Sequence, residues 1–302
     1  MKRMQTLLLV VLPLLCQPLA AQESKLLRWK FREGEKLTLT CTQTIDTKRT
    51  VQGRSAQMSM ILTSQMDWTV NSVDAKGNAK IAQSFRRLTA KLNAANGSSI
   101  TFDSGSKIKP TGLAKDVAER LIPLIGKEFT VGMTTRGEIT DVKLSEELEE
   151  AIEDAAGAKE ARADLFSKQG ITDLMKQFAI KLPEKAVAKG AKWATKHKTS
   201  LPIGKLQLEN KFTYQGASVV AGRSVLQIGL ASDVKVATPA KRTKLKKFEN
   251  RGTIQFDEIR GRLAKATSKQ SIVATTKLRD AVIEIQMSTV ITTELKKRDA
   301  KK

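Results

Sequence analysis

Apolar residues recur at every second position over runs far longer than an ordinary strand. Leu37, Leu39, Cys41 and Ile45 alternate with Lys36, Thr38, Thr40, Thr42 and Thr44. After Gly53 the same period returns, with Met58, Met60, Leu62, Met66, Trp68 and Val70 set against Gln57, Ser59, Thr63, Gln65, Asp67 and Thr69. A period of two places each set on its own face of a β-strand, one for a core and one for solvent. Strands usually run about 5 to 6 residues. Runs of roughly 14 residues reach about 45 Å at about 3.3 Å per residue, and strands of that reach twist and coil. A sheet made of them needs something against its apolar face.

The rest of the chain supplies turns and covers. Asp74 to Asn78 is a turn, and Ile81 and Phe85 open a third strand whose apolar phase slips to Leu88, Ala90 and Leu92, which predicts a bulge. Asn96-Gly97 is a strong two-residue hairpin signal ahead of Ile100 and Phe102. Leu113, Val117, Leu121 and Leu124 share one helical face, and helices are expected over 145–156 and 171–180. Strand alternation resumes through Leu206, Phe212, Leu226, Ile228, Ile254, Ile272 and Ile283 to Leu295. Trp68-Thr69-Val70 matches Phe212-Thr213-Tyr214, and Gly34-Glu35-Lys36-Leu37 matches Gly190-Ala191-Lys192-Trp193. The expected fold is mainly β with helical covers, a β-rich α+β fold of long curved antiparallel sheets or half-barrels in two similar halves. Its divisions are a signal peptide at 1–21, an N-terminal meander with one covering helix at 22–144, a helical connection at 145–188, a C-terminal meander at 189–295 and a basic tail at 296–302.

Met1-Lys2-Arg3, the apolar run Leu7 to Leu15 and the small residues Ala20-Ala21 have the order of a secretory signal. The run is about half of the roughly 20 residues that span a bilayer, and no second stretch is long enough, so the mature chain is expected to have no transmembrane segment. Cleavage after Ala21 removes Cys16 and leaves Cys41 alone, on the apolar phase of a strand and expected to be buried. Periplasm or exterior is the expected location. Lysine and arginine number 53 against 31 acids, a net +22. Such charge favours anionic partners. In an exported protein these are envelope lipid, lipopolysaccharide or acidic glycan, with no nucleic acid expected.

Signs of catalysis are few. His197 is the lone histidine, flanked by Lys196 and Lys198, and reads as an exposed bystander with nothing to orient it as a base. One histidine and one mature cysteine assemble neither a histidine cage nor a thiolate metal site. The acidic run Glu146, Glu147, Glu149, Glu150, Glu153 and Asp154 suits the start of a helix, with Leu148 and Ile152 on its apolar face. Nucleophile-elbow, phosphate-loop and dinucleotide fingerprints are missing from the sequence. No catalytic residue, metal or cofactor is expected. Two candidate binding features remain. Met58, Met60, Met66 and Trp68 form an adaptable apolar face suited to acyl chains. Lys241, Arg242, Lys244, Lys246 and Lys247 form a basic loop, expected between two strands and suited to anionic surfaces.

Three stretches together carry a family likeness. Leu27-Arg28-Trp29-Lys30-Phe31 with Gly34-Glu35, Leu182-Pro183-Glu184-Lys185 with Gly190 and Trp193, and Gly252-Thr253-Ile254 with Phe256-Asp257 and Gly261-Arg262-Leu263 resemble a family of exported bacterial proteins catalogued only as a domain of unknown function. The resemblance implies no activity, because its motifs are structural in character. At the level of fold, a curved antiparallel sheet with helices resembles the periplasmic carriers that shelter lipoprotein acyl chains. The sequence thus leaves two functional classes open. One is a non-catalytic exported binding protein for an apolar or acyl-chain ligand, and the other is an interaction protein held on anionic envelope lipid or glycan.

Overall fold

The computed structural model describes residues 23–156, 171, 172, 175, 180–201, 204–240, 242–278 and 281–298. The expected signal peptide at 1–21, Lys241, and residues 299–302 of the tail lie outside the described residues.

Six strands precede the helical connection: β1 (Lys36–Val51), β2 (Arg54–Val73), β3 (Ala79–Asn93), β4 (Ser99–Asp103), β5 (Glu128–Met133) and β6 (Ile139–Leu144). Six follow it: β7 (Lys192–Leu201), β8 (Gly204–Val220), β9 (Arg223–Pro239), β10 (Thr243–Asp257), β11 (Arg262–Leu278) and β12 (Ala281–Lys297). They form one 12-stranded sheet in the order β6-β5-β3-β2-β1-β12-β11-β10-β9-β8-β7, with β4 also paired to β3. The pairs between these strands are antiparallel. The chain therefore starts at the middle of the sheet, works out to the β6 edge, crosses to the β7 edge and returns to the middle. β6 and β7 do not pair, so the sheet is curved and unclosed.

The expectation of two similar halves is not supported, because one ladder joins the two meanders. β1 and β12 pair continuously from Leu37 opposite Lys297 to Val51 opposite Ile283, which makes a single sheet of both meanders. The local geometry where β1 and β7 open is nonetheless the same. Gly34 N–H donates to Val70 O at 2.9 Å and Val70 N–H to Glu35 O at 3.0 Å; Gly190 N–H donates to Tyr214 O at 2.7 Å and Tyr214 N–H to Ala191 O at 2.9 Å. Both glycines have positive φ, 75° and 90°, where a side chain would be strained.

Helical cover is also less than expected. α1 (Leu113–Leu121) has 9 residues and α2 (Glu146–Ala156) has 11, so neither exceeds about 17 Å at about 1.5 Å per residue. β2 alone has 20 residues and reaches about 65 Å. The described helical segments pack at one end of the sheet, where Leu124, Leu148, Ala151, Ile171 and Met175 join Met66, Trp68, Ile81 and Phe129 in the main core. The N-cap of α1 is Gly112, without a side-chain bond. The phase slip in β3 is a register shift between Gln65 opposite Arg87 and Met66 opposite Phe85, with Arg86 as the extra residue.

The three stretches that carry the family likeness converge at that same end of the sheet. Arg28 donates to the carbonyls of Pro183, at 2.7 Å, and Glu184. Trp29 Nε1 lies 3.4 Å from Ile180 O and Trp193 Nε1 lies 2.9 Å from Lys181 O. The turn between β5 and β6 completes the clasp, with Leu182 N–H donating to Arg136 O at 2.7 Å and Arg136 Nε to Leu182 O at 3.2 Å. Residues 180–187 thus strap the β6 side of the open sheet to the β7 side. Trp29 meets Phe256 edge-on, with 5.7 Å between ring centroids, and Lys30 N–H donates to Gly261 O at 2.8 Å.

Candidate functional site

Strand alternation and the register put the odd positions of β1 and the even positions of β2 on one face. Leu39 lies opposite Met66, Cys41 opposite Ser64, and Gln43 opposite Leu62. On the far side of β1, Leu39 lies opposite Leu295 and Cys41 opposite Thr293. These residues, with Phe85 and Leu88 of β3, line a cavity of about 440 Å³. Leu121, Leu124, Met175 and Ile180 close it from the helical side, and Trp29, Met133, Ile139 and Leu263 from the clasp. The volume falls in the range of about 300 to 1,000 Å³ that small-molecule sites occupy.

Among the described residues the lining is uncharged. Its polar members are Gln43, Ser64, Gln83 and Thr293, with the Cys41 thiol. Burial pushes the Cys41 thiol pKa up, against the opposing influence of hydrogen bonds with Thr293 and Gln43, so the sulfur is a poor nucleophile. A charged ligand group would be desolvated here with no counter-charge, whereas an apolar chain would gain by burial.

The apolar face read from the sequence is divided by the structure. Met66 and Trp68 are buried and line the cavity. Met58 is 41 % exposed and sits at the other end of β2, about 26 Å away by strand rise. There it borders a more open depression of about 540 Å³ with polar walls that include Asp46, Lys48, Gln57, Asn93 and Ser288. Met60 is half-buried between the two and lines neither. Sequence reasoning missed Gln83, although it sits between Ile81 and Phe85 on the same phase. The contributions of Leu263, Thr293 and Leu295 depend on the β1 to β12 pairing.

The basic run is not a loop. Lys244, Lys246 and Lys247 lie within β10, with Lys244 opposite Thr275 and Lys247 opposite Val273 of β11. Arg242 just precedes the strand, and its carbonyl accepts from Lys277 N–H at 2.8 Å. All four are exposed, and Lys247 is paired with Glu249 at 3.0 Å. The alternation of Thr243 and Leu245 with Lys244 and Lys246 is that of a strand. β10 pairs with β9 only from Asn250 to Phe256, so its Thr243–Glu249 part forms a strand edge on that side. Lysines at an edge discourage pairing with another chain.

His197 is half-buried rather than exposed. It lies on β7 opposite Leu208, and burial lowers its pKa. Among the described residues no group of three or more histidine, cysteine, aspartate or glutamate side chains could hold a metal ion. No described helix is long and apolar enough to cross a membrane.

Solved structures resemble the chain at low sequence identity. Lipovitellin, from a structure of its lipid-protein interactions, is 8% identical with a TM-score of 0.46; the match covers 90% of this chain and 26% of that one, so the chain spans about a quarter of its length. A protein of YmcC-like fold from Bacteroides fragilis is 9% identical, with 88% and 97% covered and a TM-score of 0.24. A DUF1329 family protein from Desulfovibrio piger is 11% identical, with 87% of each chain covered and a TM-score of 0.14. No curated protein matches the chain. A sequence-family match spans residues 76–261, well over half of the chain, and takes in the Leu182 to Trp193 stretch and most of the Gly252 to Leu263 stretch. The chain belongs to DUF6263, a family of unknown function.

Proposed function

We propose that this protein is a non-catalytic exported binding protein that holds an apolar or acyl-chain ligand in the cavity between β1, β2, β3 and the helical segments. One observation carries the reading: a cavity of about 440 Å³ whose described lining is uncharged and mainly apolar, at the end of the sheet where the clasp also converges. Met66 and Trp68 supply part of that lining, and flexible methionine side chains adapt to chains of different shape. The Cys41 thiol is held protonated, in keeping with a role in packing rather than chemistry.

The test is titration of the purified protein with N-phenyl-1-naphthylamine, an uncharged apolar dye that brightens out of water. Saturable binding that Met66→Gln weakens at least tenfold, with the circular dichroism spectrum unchanged, supports the reading. Absence of saturable binding by the native protein sinks it.

A second reading rests on the opposite face of the sheet. Arg251 and Lys269 are cross-strand neighbours there and both are exposed, as are Lys244, Lys246 and Lys265. Such a face suits anionic envelope lipid or glycan. Sedimentation with vesicles of anionic lipid should then fall steeply between low and physiological salt, because exposed charges are screened. Equal sedimentation with neutral vesicles excludes this reading.

A further inference from the structure

Trp68 and Gln83 are cross-strand partners on β2 and β3, and both line the cavity. Trp68 is 8 % exposed and Gln83 2 %. Among the described residues neither Trp68 Nε1 nor Gln83 Oε1 has a hydrogen-bond partner in the protein. Buried polar atoms are nearly always paired, so two orphans side by side in an otherwise apolar lining require a reason. They are complementary in kind. The indole N–H can only donate, and the amide oxygen can only accept.

We infer that this pair anchors the polar end of the ligand, and that the ligand is an apolar chain ending in an uncharged group that both accepts and donates a hydrogen bond. Primary alcohols and carboxamides have that chemistry. Their oxygen accepts from Trp68 Nε1, and their O–H or N–H donates to Gln83 Oε1. A plain hydrocarbon leaves both protein atoms unpaired, and a methyl ester leaves Gln83 Oε1 unpaired. A carboxylate has no donor for Gln83 and no cation among the described lining residues, so it is buried uncompensated. The wall around the pair, Met66, Phe85 and Leu124 among it, gives the chain an apolar path away from the head group. This assignment rests on the cavity being a ligand site, as proposed above.

The experiment uses the full mature chain and competition against N-phenyl-1-naphthylamine by five probes of one chain length: 1-decanol, decanamide, methyl decanoate, decane, and decanoate at pH 8. Decanol and decanamide are expected to compete at least tenfold more tightly than decane or decanoate, with the ester between them. Gln83→Leu is expected to bring decanol to within about twofold of decane while leaving decane unchanged, and Trp68→Phe to act in the same direction. Equal competition by all five probes on the native protein overturns the head-group assignment and leaves the cavity reading standing. Tightest competition by decanoate overturns it too. Failure of the dye and every probe to bind overturns the cavity reading itself. The ranking of probes on the native protein decides the matter even if a variant does not fold.

Discussion

Arg262 Nη2 lies 2.8 Å from Glu35 Oε1, and the two side chains are only 14% and 15% exposed. The pair ties the residue ahead of β1 to the first residue of β11, beside the bond from Lys30 N–H to Gly261 O. It lies at the end of the sheet where the family stretches meet.

Removing one partner of a largely buried ion pair strands the other charge. Arg262→Ala is expected to lower unfolding stability by about 3 kcal/mol, whereas the double change Glu35→Leu with Arg262→Met should cost about 1 kcal/mol or less. Urea denaturation followed by tryptophan fluorescence checks both. Equal losses from the single and double changes would show that the pair is not acting as a unit.

Gly137, in the turn between β5 and β6, has φ 84°, and a Cβ there would overlap Ile180 O and the Trp29 indole nitrogen. Gly97, in the turn between β3 and β4, has φ 80° with open space around it. Gly97→Ala should therefore cost about 1 kcal/mol, from backbone strain alone, and Gly137→Ala about 3 kcal/mol as the clasp is forced open. Thermal melts of the two variants give the comparison. A Gly137→Ala protein that melts with the Gly97→Ala protein would contradict the close approach.

Cys41 provides a chemical reporter of the cavity. Burial raises its thiol pKa, and only the thiolate reacts. Iodoacetamide at pH 8 should modify the folded protein at least about 100-fold more slowly than the urea-unfolded chain. Saturating 1-decanol should slow modification of the folded protein further. Rates that ignore the alcohol would place Cys41 away from the bound chain.

His197 predicts a pH dependence with a definite sign. Burial lowers its folded pKa, so the neutral imidazole is favoured in the fold. The unfolded state takes up a proton first as pH falls through about 6.5. Stability from this site is therefore complete above about pH 7, declines as pH falls below 6.5 and levels off below the folded pKa. Leu208 lies across from His197; Lys196 and Lys198 are neighbours in sequence, and Lys196 is 3.5 Å from Glu209. His197→Gln should flatten the profile of urea midpoints between pH 7.5 and 5.5. An unchanged slope would assign the dependence to other groups.

The lysines of the β10 edge carry a different expectation. Lys244→Thr with Lys246→Thr leaves the inward phase of Thr243 and Leu245 intact and removes edge protection. Light scattering at 37 °C should show faster aggregation with an unchanged urea midpoint. Unaltered aggregation would favour the anionic-surface role for these residues.

Much of the fold was legible because a period of two is hard to mimic. The faces of β1 and β2, the bulge after Phe85 and the helix at 146–156 all follow from spacing. The pairing of β1 with β12 was not, because alternation says which face a residue occupies and nothing about which strand lies beside it. The cavity depends on that pairing through Thr293 and Leu295, so only its β2 wall could be anticipated, and there Met58 and Met60 were indistinguishable from Met66. The lysine run misled by density, since charge marks exposure and an exposed strand edge is as polar as a loop. Gln83 stood on the inward phase between Ile81 and Phe85, and the misplaced polarity was itself the signal.

The most direct measurement is native mass spectrometry of the protein isolated from the cells that make it, followed by organic extraction and identification of what is released. The expected result is one apolar chain per protein, ending in an uncharged hydrogen-bonding group and lost from the Met66→Gln variant. A protein that carries nothing from its cells, and that takes up neither dye nor decanol when these are supplied, would contradict the cavity reading.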